Sequence, residues 1–329
     1  MEFSVRHLGG ALAKMAGLSK IAFLALAISS LSLSHISQGV AFGQTASPLP
    51  QEIVSESIET ANFEDLEKKA LELVDLLGPE NVLVAYDVDN TLLALNQQLG
   101  SNPWYSWQSA EMKKPQPNDA ITMDKGEFAR ICSLLLAVSS MHTPQPEIPS
   151  IVARLQDRGI PSIILTSRRY DMRDSTLAVL SDNAINMNRT PIGPTQGFAG
   201  TYLPYDLNHP EEYGLTQEMV KSFALPKVRP VSYQNGMFMV DGLHKGAMLR
   251  TLLHKTGQSF KAILFIDDAP YNVRDVQAAF KDSGVAVFTY RYNREDQNVQ
   301  DFNQSDKSEV KEAWKLFNET MKKLFPKAS

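Results

Sequence analysis

The chain has 329 residues, 43% hydrophobic and 21% charged, with a formal net charge of −5. That is globular composition, with length for one large core or a core plus a small accessory module, and no long basic run or aromatic–basic stripe suggests a nucleic-acid partner. The single cysteine, Cys132, excludes an intramolecular disulfide and a cysteine-built zinc site.

Residues 1–20 carry Arg6, Lys14 and Lys20 against one acid, Glu2. The apolar stretch "IAFLALAISSLSL" (Ile21–Leu33) follows, then small residues at Ala41, Gly43, Thr45 and Ala46. Basic, apolar, small is the plan of a signal peptide over residues 1–43, cleaved near Gly43 or Ala46. The apolar run is short for a membrane span, which needs about 20 residues; an uncut anchor is the competing reading. Removal of this segment takes away three positive charges and one negative, leaving an acidic, exported protein at −7, periplasmic or secreted.

Residues 44–61 read as a polar, proline-bearing leader. "ANFEDLEKKALELVDLLGP" then places Phe63, Leu66, Ala70, Leu73, Val74 and Leu77 at helical spacing, with Asn62 as N-cap and Gly78-Pro79 as stop. Strand and helix patterns alternate from there. "NVLVAYD" is a strand, "PSIVARLQDRG" a helix, "PSIILTS" a strand and "MRDSTLAVLSDN" a helix. "GAMLRTLLHKTG" is a helix, "AILFIDD" a strand, "VRDVQAAFKDSG" a helix and "VAVFTY" a strand. Wholly apolar strands between amphipathic helices imply an α/β fold, a doubly wound and mainly parallel sheet covered on both faces. "SEVKEAWKLFNETMKKLF" is a closing helix with one apolar face. Two stretches interrupt the alternation: about 96–145, with "GSNPWYSWQ" and the helix "KGEFARICSLLLAVSSM", and about 189–240, with Asn235-Gly236 as a hairpin turn. Both are expected to lie over the functional edge of one domain spanning 62–329: a small cap insertion after the first strand, and a β-hairpin insertion before Lys245.

Ligands of open α/β sheets bind beyond the carboxyl ends of the strands. Those ends carry Asp87, Asp89 and Thr91; Thr166, Ser167, Arg168 and Arg169; and Asp267 and Asp268, with Asn272 close behind. Lys245 heads a helix toward the same edge. Four carboxylates and a lysine suggest a hard-oxygen cation site, suited to Mg²⁺, beside a site for a phosphate-sized anion. In such a site one carboxylate can attack phosphorus, a second can move the leaving group's proton, and the lysine and hydroxyls can hold the phosphoryl oxygens.

"DVDNT", "IILTSR", "KG" opening a helix and "FIDDAPYNV" stand in the order of the four signature motifs of the haloacid dehalogenase (HAD) superfamily, which the chain resembles over about residues 82–290. The position of the first insertion is similar to that in periplasmic acid phosphatases of this superfamily. The segment "PWYSWQ" also resembles an exported bacterial branch. The resemblance implies a HAD-like Rossmannoid fold and a Mg²⁺-dependent hydrolase of phosphate monoesters. Asp87 would be the nucleophile, Asp89 the general acid/base, Thr166 a phosphoryl ligand and Lys245 the stabiliser of the phospho-aspartate. Mg²⁺ would be held by Asp87, Asp267, Asp268 and the backbone carbonyl of Asp89. Asp89 favours a phosphatase or phosphotransferase over a dehalogenase.

Around these, Thr91, Ser167, Arg168, Asn272, Trp104 and Tyr105 are candidate substrate contacts. Arg168 and Arg169 read more readily as surface salt bridges than as phosphate contacts, and Trp104, Tyr105 and Trp107 equally as an aromatic core of the insertion. His142, His209, His244 and His254 lack metal-ligand spacing, though His244 adjoins Lys245. Cys132 sits in an apolar helix, as a core residue. The expected partner is a small phosphate ester. A phosphotransferase and a non-catalytic HAD-like binding protein are the alternatives.

Overall fold

A computed structural model describes residues 53–326. The expected signal segment and the start of the leader lie outside the described residues. Among those described, no helix is long and apolar enough to cross a membrane.

The elements run β1 (Glu56–Thr60), α1 (Glu64–Leu77), β2 (Val82–Tyr86), β3 (Ala94–Leu95), α2 (Asn102–Glu111), α3 (Lys125–Val138), β4 (Met141–His142), α4 (Ile148–Asp157) and β5 (Ser162–Thr166). Then come α5 (Arg173–Asp182), α6 (Gln217–Ser222), β6 (Ser232–Gln234), β7 (Met237–Met239), α7 (Lys245–Thr256) and β8 (Ala262–Asp267). The chain closes with α8 (Pro270–Ala279), β9 (Ala286–Tyr292), α9 (Asp296–Gln304) and α10 (Ser308–Leu324). Seven strands form the main sheet in the order β1-β9-β8-β2-β5-β7-β6. All neighbours are parallel except the β6–β7 hairpin at one edge.

Each central strand is buried along its length, as wholly apolar segments must be when helices cover both faces. Alternation sorts their side chains between two cores. Val82, Val84 and Tyr86 meet Leu66 and Leu73 of α1 and Ile151 and Leu155 of α4. Leu83 and Ala85 face Ala247, Leu249 and Leu252 of α7 and Val276 of α8, with Ile263 and Phe265 of β8 beside them. The same alternation, followed to the last residue of β8 and one step past β2, puts Asp267 and Asp87 on the α7 face. The register Tyr86↔Ile266 makes them neighbours.

Several expectations change. The stretch 56–60, assigned to the leader, is β1, paired with β9 from Glu56↔Phe288 to Thr60↔Tyr292. Its sequence "ESIET" conceals this because an edge strand keeps most of its side chains in water. Asn62 does not cap α1; Phe63 holds that position without a side-chain cap bond, and its N–H donates to Gln145 Oε1 at 2.8 Å.

The hairpin at Asn235-Gly236 is present, with both residues at positive φ (53° and 70°) as its turn requires. It is not an insertion over the functional edge: β7 pairs with β5 and extends the main sheet. The preceding stretch lays Tyr205, Leu215 and Leu225 into the α7-side core.

The first insertion is a two-helix layer on the β3–β4 pair. Its core is completed from outside its own range. Trp104, Phe128 and Leu135 pack with Phe302 of α9 and Val310 of α10; the closing helix packs only part of its apolar face against this layer, Val310 with the partly buried Trp314 and Phe317, while Ala313 and Leu324 are exposed.

Candidate functional site

Three strand ends and two helix starts build the site. Asp87 follows β2 and its N–H donates to Ile266 O at 3.0 Å, which holds it against β8. Asp267 ends β8. Lys245, the first residue of α7, reaches between them: Nζ donates to Asp87 Oδ1 at 2.5 Å and to Asp267 Oδ2 at 2.6 Å. All three are buried, Lys245 to 1% exposure and Asp267 to 0%.

Two features place the ammonium there. His244 caps α7, its Nδ1 accepting the Ala247 N–H at 3.1 Å. The ring stacks on Phe223 at 4.4 Å and sets Nε2 3.3 Å from Asp275 Oδ1. Burial pushes the imidazole down to about 4, so it stands neutral as a scaffold. Gly246 is the second. A Cβ there would lie 2.1 Å from Asp275 O and 2.6 Å from Ala279 Cβ, so only glycine lets α7 meet α8 this closely.

Further donors converge on Asp267. Oδ1 accepts the Ala269 N–H at 2.8 Å, and Asn272 Nδ2 lies 3.0 Å from each oxygen. Asn272, expected to touch substrate, is instead buried and spent on this carboxylate. Thr91 is corrected in the same way: it is fully buried and its Oγ1 accepts the Asp268 N–H at 3.0 Å. Asp268 Oδ2 accepts from Asn90 Nδ2 at 3.1 Å and from Asn102 Nδ2 at 3.4 Å. Asn102 opens α2, so the first insertion does reach this edge.

Asp87, Asp267 and Asp268 each offer a carboxylate oxygen within 4.8 Å of the others, a group that could hold a metal ion. The Asp89 carboxylate stands apart from it, engaged by Arg168 through Nε–Oδ2 at 3.0 Å and Nη2–Oδ1 at 2.8 Å. Arg168 is therefore no surface salt bridge but a buried guanidinium, 7% exposed. Arg169 does take the surface role, paired with Asp171 at 3.0 Å. Thr166 is fully buried at the end of β5 and accepts the Arg168 N–H at 3.2 Å; Ser167 is exposed. Trp104 is core, at 1% exposure, and cannot line the mouth; Tyr105, stacked on Phe128, is half exposed.

The electrostatics follow from this packing. Among the described residues, four carboxylates face two cations, Lys245 and Arg168, leaving two negative charges unmatched when all are ionised. Burial pushes the Asp87 carboxyl well above the carboxylate range; Lys245 pulls it back, and Asp267, Asp268 and Asp89 push it up again. Burial, then Asp267, raises Asp268 to about 7, against the Asn90 hydrogen bond. Burial opposes the Lys245 charge, but Asp267 and Asp87 outweigh it, so the ammonium persists. Hard oxygen donors with a charge deficit of two fit one divalent cation. Lys245 uses only one oxygen of Asp87 and the two asparagines only one of Asp268, so each carboxylate keeps an oxygen to offer.

Sequence reasoning missed Asn90, Asn102 and the Arg168–Asp89 pair. Asn90 had one local signal, its place in a turn at φ 58°, where asparagine is favoured. The other two contacts span 79 and 166 residues and leave no local trace.

Together these features define a Rossmann-like α/β protein with an acidic, lysine-bridged centre where β2, β5 and β8 end. The chain belongs to the family described as "Protein of unknown function (DUF2608)", whose model matches residues 59–326. No curated protein and no solved structure matches it.

Proposed function

We propose that this protein is a Mg²⁺-dependent phosphomonoester hydrolase of HAD type that works through a phospho-aspartate on Asp87. One observation carries the reading: Lys245 bridges Asp87 and Asp267 in a buried site where two negative charges lack a partner. A surface acidic cluster has no need of a buried lysine, and a structural ion pair has no need of excess carboxylates. A cation held by Asp87, Asp267 and Asp268 would supply charge neutralisation for an incoming phosphoryl group.

The chain's own groups account for the rest. Asp87 attacks phosphorus, forming the acyl phosphate as the ester P–O bond breaks. Asp89, two residues on, gives its proton to the leaving oxygen. It then takes a proton from the water that attacks phosphorus, returning Asp87 and free phosphate. Lys245 holds Asp87 Oδ1 in place and offsets charge through both steps. Ser167 and Tyr105 are exposed near this edge, available to the ester's other half. A phosphotransferase would use the same groups with an alcohol in place of water.

The test is release of p-nitrophenol from p-nitrophenyl phosphate with and without Mg²⁺. Wild type should turn over only with the cation, and Asp87→Asn should lose at least about a thousandfold in kcat while melting as a folded protein. Turnover by Asp87→Asn would overturn the mechanism. Mg²⁺ binding without hydrolysis by wild type would favour a binding protein.

A further inference from the structure

The arrangement of Asp89 is at odds with the task just given to it. A proton carrier must turn an oxygen toward the leaving group, yet Arg168 occupies both of its oxygens in a fork. The two partners are not equally free. Arg168 is 7% exposed and its third nitrogen is anchored: Nη1 donates to Thr176 Oγ1 of α5 at 2.9 Å, and that hydroxyl donates at 2.7 Å to the carbonyl of Met172, the residue just ahead of α5. Asp89 rises from the loop after β2 with its side chain 31% exposed. If the pair opens, Asp89 moves and Arg168 stays.

A guanidinium fork that fits a carboxylate also fits two oxygens of a phosphoryl group, and a dianion competes well for it. Arg168 follows β5, the strand beside β2, and its partner Asp89 lies two residues along the chain from Asp87. We infer that the Arg168–Asp89 pair is a latch operated by substrate. The phosphoryl group of the ester displaces Asp89 from Arg168; the released carboxylate takes a proton from solvent water and turns it to the leaving oxygen. Arg168 thus both binds the phosphoryl group and positions Asp89: it parks Asp89 until a phosphoryl group is in place and then frees it. This deepens the phosphohydrolase reading and rests on it.

The test is a double-mutant cycle on inorganic phosphate binding, followed by titration calorimetry in saturating Mg²⁺, with wild type, Asp89→Asn, Arg168→Gln and the double variant. Removing Asp89's charge should tighten phosphate about tenfold, because phosphate no longer competes for the fork. Simple relief of repulsion would also tighten it, so the discriminating quantity is the same gain measured without Arg168. The latch requires a smaller gain in the Arg168→Gln background. A gain that is equal or larger there refutes it, since repulsion alone is strongest when Arg168 is absent. Circular dichroism checks folding; should Arg168→Gln not fold, Arg168→Lys replaces it, keeping the charge without the fork, and the same inequality decides. The two failures are distinct. Phosphate binding with an undiminished gain overturns the latch alone, whereas no phosphate binding by wild type or Asp89→Asn overturns the phosphohydrolase reading and the latch with it.

Discussion

Replacing Lys245 by methionine tests the charge architecture of the centre without testing chemistry. The substitution keeps the length and much of the volume of the side chain and removes only the charge. In the protein, Lys245 is 1% exposed and neutralises two buried carboxylates at 2.5 and 2.6 Å. Taking one partner from a buried ion pair costs about 3–5 kcal/mol, because the remaining charges stay desolvated. Asp267 retains the Ala269 N–H and Asn272, which places the expected loss toward the lower end. At roughly 2–4 °C per kcal/mol for a domain of this size class, Tm in chelator at pH 8 should fall by about 6–20 °C. The excess of two negative charges becomes three, so Mg²⁺ should stabilise Lys245→Met more than wild type. At a hundredfold excess over Kd, binding supplies about 2.7 kcal/mol. Differential scanning calorimetry across a Mg²⁺ series reads both effects. A Tm within 2 °C of wild type in chelator, or a Mg²⁺ response no greater than wild type's, would refute this account.

Three further outcomes follow from the geometry. Gly246→Ala drives a Cβ to 2.1 Å from Asp275 O, so α7 must shift; we expect a loss of about 1–3 kcal/mol by urea denaturation and weaker Mg²⁺ binding as Lys245 moves. Trp104→Ala should cost about 3–5 kcal/mol, whereas Tyr105→Ala should leave stability nearly unchanged and alter KM; equal effects would contradict the assignment of Trp104 to the core. The third outcome concerns pH. Asp268 sits at about 7 when folded, above its unfolded value, so the folded protein holds that proton more tightly. Its contribution is present at low pH and is lost as pH rises from about 4 through about 7. Metal-free protein should therefore melt lower at pH 8 than at pH 5, and the Mg²⁺-induced rise in Tm should grow over the same window; a Mg²⁺ shift independent of pH would count against Asp268 as a ligand.

Much of the architecture is legible in the order of residues. The strands around Val84, Ile164 and Leu264 are apolar on both faces, and only a helix-covered parallel sheet buries such segments. Strand ends then mark where a ligand binds, so Asp87, Thr166, Lys245 and Asp267 could be named without coordinates, and alternation even fixes Asp87 and Asp267 to the α7 face. These are local properties: period, polarity change and helix start are written within a few residues of each other.

What only the tertiary structure decided is how each polar group is spent. Thr91, Asn272 and Arg168 look alike in the sequence as polar residues at a ligand edge. In the fold Thr91 accepts the Asp268 backbone N–H, while Asn272 and Arg168 donate to the Asp267 and Asp89 carboxylates, because polar groups drawn out of water take the nearest partners. Trp104 and Tyr105 are adjacent in the chain, yet one is core and the other half exposed, because α9 and α10 complete the insertion's core from the far end of the chain. β1 joined the sheet through ladder bonds to β9, which backbone groups of nearly any sequence can make. Residue type sets what a side chain is able to do; the partners that long-range packing brings to it determine which of those things it does.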